Sequence, residues 1–371
     1  MAGPRPSARV AELVGSTLLK SPWLARLGRI SFLGTLDAHP RSKRASTRLE
    51  HSLGVAKLGA DAAAALELDE AKTRLFVASC LLHDIGHYPL SHAAEPAFAK
   101  LLGANHHEVS RWIVLGAGPI PRIRSLRPVL EQLDIDPELA WAIIDRSDDI
   151  PAALAPLAEL LKAPINLDTL EGIRRVARDF RLRPGRLPEQ IFCWVEGELG
   201  ITPAALAATD RFWQLKDEVY DRIINLPSNI LAEARLCDLV SEKVNREVLD
   251  SLDFYDDDAL RRQLGAEAYA RALLDGGEDD AYELWHSEDY AELVGDASES
   301  REPILVRTRK RYFVDQRVQG HGEGLALRDW PRRYRHERRR GWLVSRRQAQ
   351  LQLPLSGLPS ARGLESSAPE I

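Results

Sequence analysis

The sequence predicts a mainly α-helical protein with a small mixed α/β appendage near its C-terminal end. Three observations carry this. From about residue 6 to residue 250, apolar residues recur at three- and four-residue spacing between short Pro, Gly or Asp breaks. Strand-like sequence is sparse until 303–318, where PILVRTRKRYFVDQRV alternates branched and aromatic residues as an edge strand or hairpin would. Apolar residues make up 44% of the 371 and charged residues 28%, which suits a globular protein and excludes a disordered or fibrous one.

The helices are expected at 7–19, 51–66, 69–82, 107–115, 137–146, 152–162, 168–179, 203–225 and 228–249. In the third, Asp69 reads as the N-cap, and Leu75, Phe76, Ala78, Ser79 and Leu82 form a broad buried face that ends at His83 and Asp84. The organisation expected is a helical domain over 1–250, a mixed basic region over 251–345 and a tail over 346–371 rich in Ser, Pro, Gly and Gln, without period and disordered. There is no glycine-rich phosphate loop and no internal repeat.

Cys80, Cys193 and Cys237 lie in apolar stretches and form no CxxC pair, which argues against a disulfide framework or structural zinc and fits a reducing cytoplasm. No apolar run reaches the ~18 residues a membrane span needs, and no signal-peptide order is present at the start. Net charge is −5, but residues 301–347 hold 15 Lys/Arg against 5 Asp/Glu. Such a segment is either a solvated charged face or a surface for phosphates and nucleic acid.

Six of the ten histidines fall between residues 51 and 107, most beside carboxylates. Imidazole nitrogen and carboxylate oxygen together suit a divalent ion such as Fe, Mn, Zn or Mg, which acidifies water. His83 and Asp84 adjoin at a helix end, and His51 and Asp168 lie on other predicted helices.

The order TRLEHSLGV (47–55), HDIGHYPLSHAAE (83–95), HHEVS (106–110) and INLDTLEG (165–172) resembles the HD-domain phosphohydrolase superfamily, in its deoxynucleoside-triphosphate triphosphohydrolase-like branch. RKRYFVD (309–315) is similar to a late basic strand of that branch, so the resemblance spans roughly 22–318. It implies an HD-domain helical fold around a single divalent metal ion held by His51, His83, Asp84 and Asp168. It further implies that His87 and Arg48 face the phosphates, and that His92 with Glu95 and His107 with Glu108 handle protons. Tyr220 matches a family tyrosine near the sugar or phosphates. Three places depart from the pattern. Phe32 stands where the family has a sugar-sensing glutamine, Glu171 and Gly172 replace an aspartate and an aromatic, and Gln316 replaces a proline. Metal binding should survive because Asp168 is kept, while the pocket wall should differ.

The function expected is therefore metal-dependent hydrolysis of a nucleotide, a deoxynucleoside triphosphate giving nucleoside and triphosphate, in a homo-oligomer. Two rivals stand beside it: an HD phosphodiesterase or nuclease acting on another phosphoester, and a regulatory protein that binds nucleic acid through 301–347.

Overall fold

The computed structural model describes residues 4–273, apart from 119–122, 146, 148, 163–164, 186–190 and 196, together with 281–287, 303–308, 317–318 and 341–346. The expected tail, the RKRYFVD run and most of the basic segment lie outside the described residues.

The body is built from α1 (Ala8–Leu19), α2 (Pro22–Leu27), α3 (Arg48–Ala65), α4 (Glu70–Leu82), α5 (Glu95–Leu102), α6 (His106–Leu115), α7 (Arg127–Gln132), α8 (Pro137–Asp145), α9 (Ala155–Lys162) and α10 (Leu167–Asp179). A hairpin follows, β1 (Phe192–Val195) and β2 (Glu198–Ile201), then α11 (Pro203–Val219), α12 (Pro227–Lys243), α13 (Asp257–Leu264) and α14 (Ala266–Leu273). The mainly helical class is as expected, and no helix among the described residues is long and apolar enough to cross a membrane. All three cysteines are buried and unbridged.

The helices that position the site start on side-chain caps. Thr47 and Glu50 form a capping box at the head of α3, Asp69 accepts from the Lys72 amide at the head of α4, and Asn105 with Glu108 forms a second capping box on α6. Each satisfies amides that have no partner within the helix. α3 and α4 pack so closely that a Cβ at Gly59 would run into the Cys80 side chain. The turn after α4 then touches α6 so tightly that a Cβ at Gly86 would run into the Ser110 amide and the His106 carbonyl. Only glycine fits there, and the contact brings α6 against the His83–Asp84 corner.

The helical body does not stop at residue 250. Leu260, Leu264 and Tyr269 of α13 and α14 belong to the same buried core as α1–α10. The helix expected at 203–225 ends as a helix at Val219 and continues as a π-turn, Tyr220–Ile224. The one expected at 228–249 ends at Lys243, because Asn245 starts a separate 3₁₀ segment by accepting from the Glu247 amide. The hairpin at 192–201 was not expected. Its strands are four residues each, too short to show alternation, and Gly197 turns with φ +84°.

The appendage is an antiparallel sheet of order β3 (Tyr282–Ser287), β6 (Gly341–Arg346), β4 (Pro303–Thr308), with β4 at an edge as its sequence suggested. Trp342 and Val344 of β6 pack on Ile230 and Ala234 of α12. β5 (Arg317–Val318) leaves this sheet and pairs in parallel with β2.

Two carboxylates bear on stability around the site. Asp257, at the head of α13, accepts from the backbone amides of Leu90 (2.7 Å) and Ser31 (2.8 Å). It thereby holds Leu90 and Ser91, which both have left-handed backbones (φ 59° and 54°) that cost a side-chain-bearing residue about 1–3 kcal/mol.

Asp37, in the 3₁₀ turn Gly34–Ala38, has neither oxygen hydrogen-bonded. Burial, aided by the charges of Asp257 and Asp179, pushes its pKa up to about 8. The unfolded value is near 4, so folding takes up a proton between these limits. Asp37 therefore favours the folded state most below about pH 4, and that contribution is lost as pH rises through about 8. Asp37→Asn should raise the Tm at pH ~8 and leave it nearly unchanged at pH ~4; thermal melts showing an equal shift at both pH values would contradict this.

Candidate metal centre

Four side chains from two helices and the end of a third meet at one point. His51 projects from the first turns of α3, His83 and Asp84 close α4, and Asp168 sits in the first turn of α10. His51 Nε2 is 2.9 Å from Asp168 Oδ1 and 3.5 Å from Asp84 Oδ2, while His83 Nε2 is 3.4 Å from Asp84 Oδ1 and 3.7 Å from Asp168 Oδ1. His51, His83 and Asp84 are buried, and their ligand atoms lie within 4.8 Å of one another. Asp168 stands half-exposed at the mouth. The sequence grouped these four residues, and the structure brings them together.

The imidazoles are aimed by their other nitrogens. His83 Nδ1 donates to the Cys80 carbonyl at 2.9 Å, and its Nε2 is buried without a hydrogen-bond partner. His51 Nδ1 lies 2.6 Å from Glu171, whose carboxylate is in turn gripped by Arg175. This carboxylate–imidazole relay fixes the tautomer and raises ligand basicity, as second-layer partners do around metals. Burial alone would lower the His51 pKa, but hydrogen bonds to Asp168 and Glu171 push it up to about 9. Burial would likewise raise Asp84 and Asp168. Instead the charges of His83, Arg48 and His51 hold Asp84 well below the usual carboxylate range, and contacts with His51 and His83 do the same for Asp168. Anionic oxygens set beside a buried, unpartnered imidazole nitrogen form a donor set that fits a divalent cation.

Arg48, expected to face the phosphates, is held by contacts within the chain. It is 4% exposed, and its three nitrogens are committed to Ser91 Oγ (2.7 Å), Asp84 Oδ2 (2.7 Å) and the Phe32 carbonyl (3.2 Å). It braces the ligand Asp84. Its guanidinium also lies over the Phe32 ring at 4.8 Å. Phe32 packs partly against the core, and its ring centre is 4.7 Å from that of His51. It fills the space left at Gly172, where a Cβ would meet it at 3.4 Å. Phe32 is therefore wall and core at once. Tyr220, half-buried on the π-turn, packs against the core and belongs to neither His/Asp cluster.

A second group of imidazoles adjoins the first. His87, His92 and His106 each bring a ring nitrogen within 4.8 Å of the others. Glu95 accepts from Nδ1 of His92 at 2.8 Å and from Nδ1 of His106. Burial, then the charge of Arg48, holds His87 well below its usual pKa and so neutral. Sequence reasoning named His107 and Glu108 here, whereas the histidine of this stretch that joins the cluster is His106. Glu108 is spent on the α6 cap, accepting from the Asn105 amide at 2.8 Å. His107 stacks on His106 at 4.0 Å, and burial pulls its pKa down to about 4. His106, Glu171 and Arg175 are the residues that sequence reasoning missed or undervalued. The Asn105-x-x-Glu108 spacing already marked Glu108 as a cap, and the i, i+4 spacing of Glu171 and Arg175 marked an intrahelical pair.

Residues 48–160 match the family model described as HD domain, a stretch that includes His51 and the His83–Asp84 pair. The chain carries an HD domain. Asp168 and Glu171 lie beyond the matched stretch, on α10. An uncharacterized protein of Mycoplasma pneumoniae is 30% identical over 165 residues, 43% of this chain and 37% of the relative's length. The HD-domain chain thus spans well under two thirds of that relative. Among solved structures, a phosphohydrolase from Bacteroides thetaiotaomicron superposes with a TM-score of 0.65, covering 92% of this chain and 96% of that one at 16% identity. A hypothetical protein from Aquifex aeolicus gives 0.68 over 89% and 91%, also at 16% identity. At these identities the likeness is one of fold.

Proposed function

We propose that this chain is a metal-dependent phosphohydrolase acting on nucleotides, and that it hydrolyses a deoxynucleoside triphosphate to nucleoside and triphosphate. The observation that carries the reading is the meeting of His51, His83, Asp84 and Asp168 around the unpartnered His83 Nε2. The Bacteroides thetaiotaomicron phosphohydrolase, which shares the fold, supports the reaction class, and the four sequence blocks quoted above support the nucleotide.

His51, His83, Asp84 and Asp168 would hold the ion. A divalent ion there supplies Lewis acidity, polarising a phosphoryl oxygen and making water more acidic. The chain's own part is rigidity: Arg48 fixes Asp84, Glu171 fixes His51 and the Cys80 carbonyl fixes His83. Groups held in place lose no reorganisation energy when charge grows on the phosphate.

Phe32 selects the sugar by shape, since a phenyl ring beside His51 offers a hydroxyl no partner and burying one unpaired costs about 1–3 kcal/mol. The test is to strip the full chain with chelator, reload it with Mn²⁺, and screen deoxy- and ribonucleoside triphosphates beside a phosphodiester. Triphosphate release from deoxynucleotides, abolished by chelator, is expected. Release of orthophosphate alone, cleavage of the diester alone, or activity that survives chelation would overturn the reading. Phe32→Ala should then narrow the deoxy-to-ribo ratio of kcat/KM by about tenfold, equal to ~1.4 kcal/mol. An unchanged ratio accompanied by a lowered Tm would reduce Phe32 to packing.

A further inference from the structure

Three nitrogens in the second histidine group share one chemical state. The Nδ1 of His87 faces the Asp84 carbonyl at 3.2 Å, that of His92 faces Glu95 Oε2 at 2.8 Å, and that of His106 faces Glu95 Oε1. Carbonyl and carboxylate oxygens only accept, so each Nδ1 must carry the ring proton. In a neutral ring each Nε2 is then a bare lone pair. The Nε2 atoms of His87 and His92 stand 3.5 Å apart, and the His106 ring lies tilted beside that of His87 with ring centres 4.0 Å apart. Lone pairs that face one another repel unless a cation lies between them. Two nitrogens bound tetrahedrally to one ion at ~2.0–2.1 Å sit about 3.3 Å apart, close to the spacing seen here. Glu95 holds two of the rings from behind, the outer-layer arrangement of metal-bound histidines.

From this geometry we infer a second metal site, in which His87, His92 and His106 bind a transition-metal ion through Nε2 and Glu95 is the positioning residue. An all-imidazole donor set suits Zn²⁺, Fe²⁺, Ni²⁺ or Co²⁺ and disfavours Mg²⁺ or Ca²⁺. The site adjoins the first. Asp84 Oδ1 lies 3.4 Å from His83 Nε2 on one side and 3.5 Å from His87 Nδ1 on the other. A chain built this way carries two ions per copy rather than the single ion that the sequence pattern implies. It also makes His92 a ligand in place of the proton carrier suggested by its neighbour Glu95.

The probe is Co²⁺ on the full chain, with metal per chain counted by mass spectrometry after gel filtration and the visible d–d absorption recorded. Wild type should hold two ions. His92→Ala should lose one of them and part of the absorption, with the circular dichroism unchanged because the His92 side chain is 60% exposed. His51→Ala should also lose one, with the His92-dependent absorption retained. Glu95→Gln should weaken the second ion by about 10- to 100-fold. A wild type with one ion, lost in His51→Ala and kept in His92→Ala, would overturn the second site while leaving the proposed function standing. A wild type with none would overturn both.

Discussion

Replacing His83 with Ala and Asp84 with Asn together should empty the first metal site and reduce hydrolysis to background, with the helical fold retained. The choice of Asn follows from the structure. Asp84 is the buried partner of Arg48 at 2.7 Å, and Asp84→Ala would leave a buried guanidinium unpaired at a cost of about 3–5 kcal/mol. An amide oxygen still accepts the Arg48 hydrogen bond but lacks the charge that draws a cation. His83→Ala removes a ring that the Cys80 carbonyl holds from behind and that reaches Asp84 and Asp168 in front. Metal analysis beside circular dichroism decides the matter: a folded variant that keeps both its full metal complement and its activity rules out the central assignment.

The second large effect is expected at Glu171, a residue that touches no substrate. It accepts from His51 on one side and from Arg175 on the other, and it is 7% exposed. Burial alone would raise its carboxyl, yet His51 and Arg175 hold it below the usual range. Glu171→Gln preserves the shape and removes the charge, so metal affinity should fall about 10- to 100-fold while the fold stays intact. Glu171→Ala goes further. It strands Arg175, itself 8% exposed, and should destabilise the protein by about 3–5 kcal/mol. Urea titration and metal-binding isotherms on the two variants separate the roles, and equal metal affinity in Glu171→Gln and wild type would remove Glu171 from the metal centre.

What the sequence disclosed depended on whether a signal was local. Asp69 capping α4, and the end of that helix at His83, are local matters, and both were readable. The four residues that meet at the candidate metal centre were readable as a group because adjacency and block order marked them, even though Asp168 reaches His51 across 117 positions. The contacts of Arg48 were not readable, because residue type shows that a guanidinium binds oxygens but not which ones, and here burial gives it Asp84, Ser91 and a carbonyl. His106 was passed over for His107 because two adjacent histidines on a helix point about 100° apart, and only the docking of α6 on Gly86 decides which faces inward. The hairpin at 192–201 and the extension of the core through α14 escaped for a related reason. Their evidence is the packing of distant residues, such as Tyr269 on the main core.

The grip of Asp257 on the Leu90–Ser91 backbone carries a consequence for the order of events during synthesis. Leu90 and Asp257 are 167 residues apart, so by the time Asp257 leaves the ribosome every ligand of both histidine groups has long been exposed. The left-handed turn that seats Ser91 against Arg48, and through it Asp84, lacks its brace until that moment. Nascent chains halted before residue 257 should therefore hold the metal-binding side chains without the geometry to use them. Metal loading should then follow the arrival of α13.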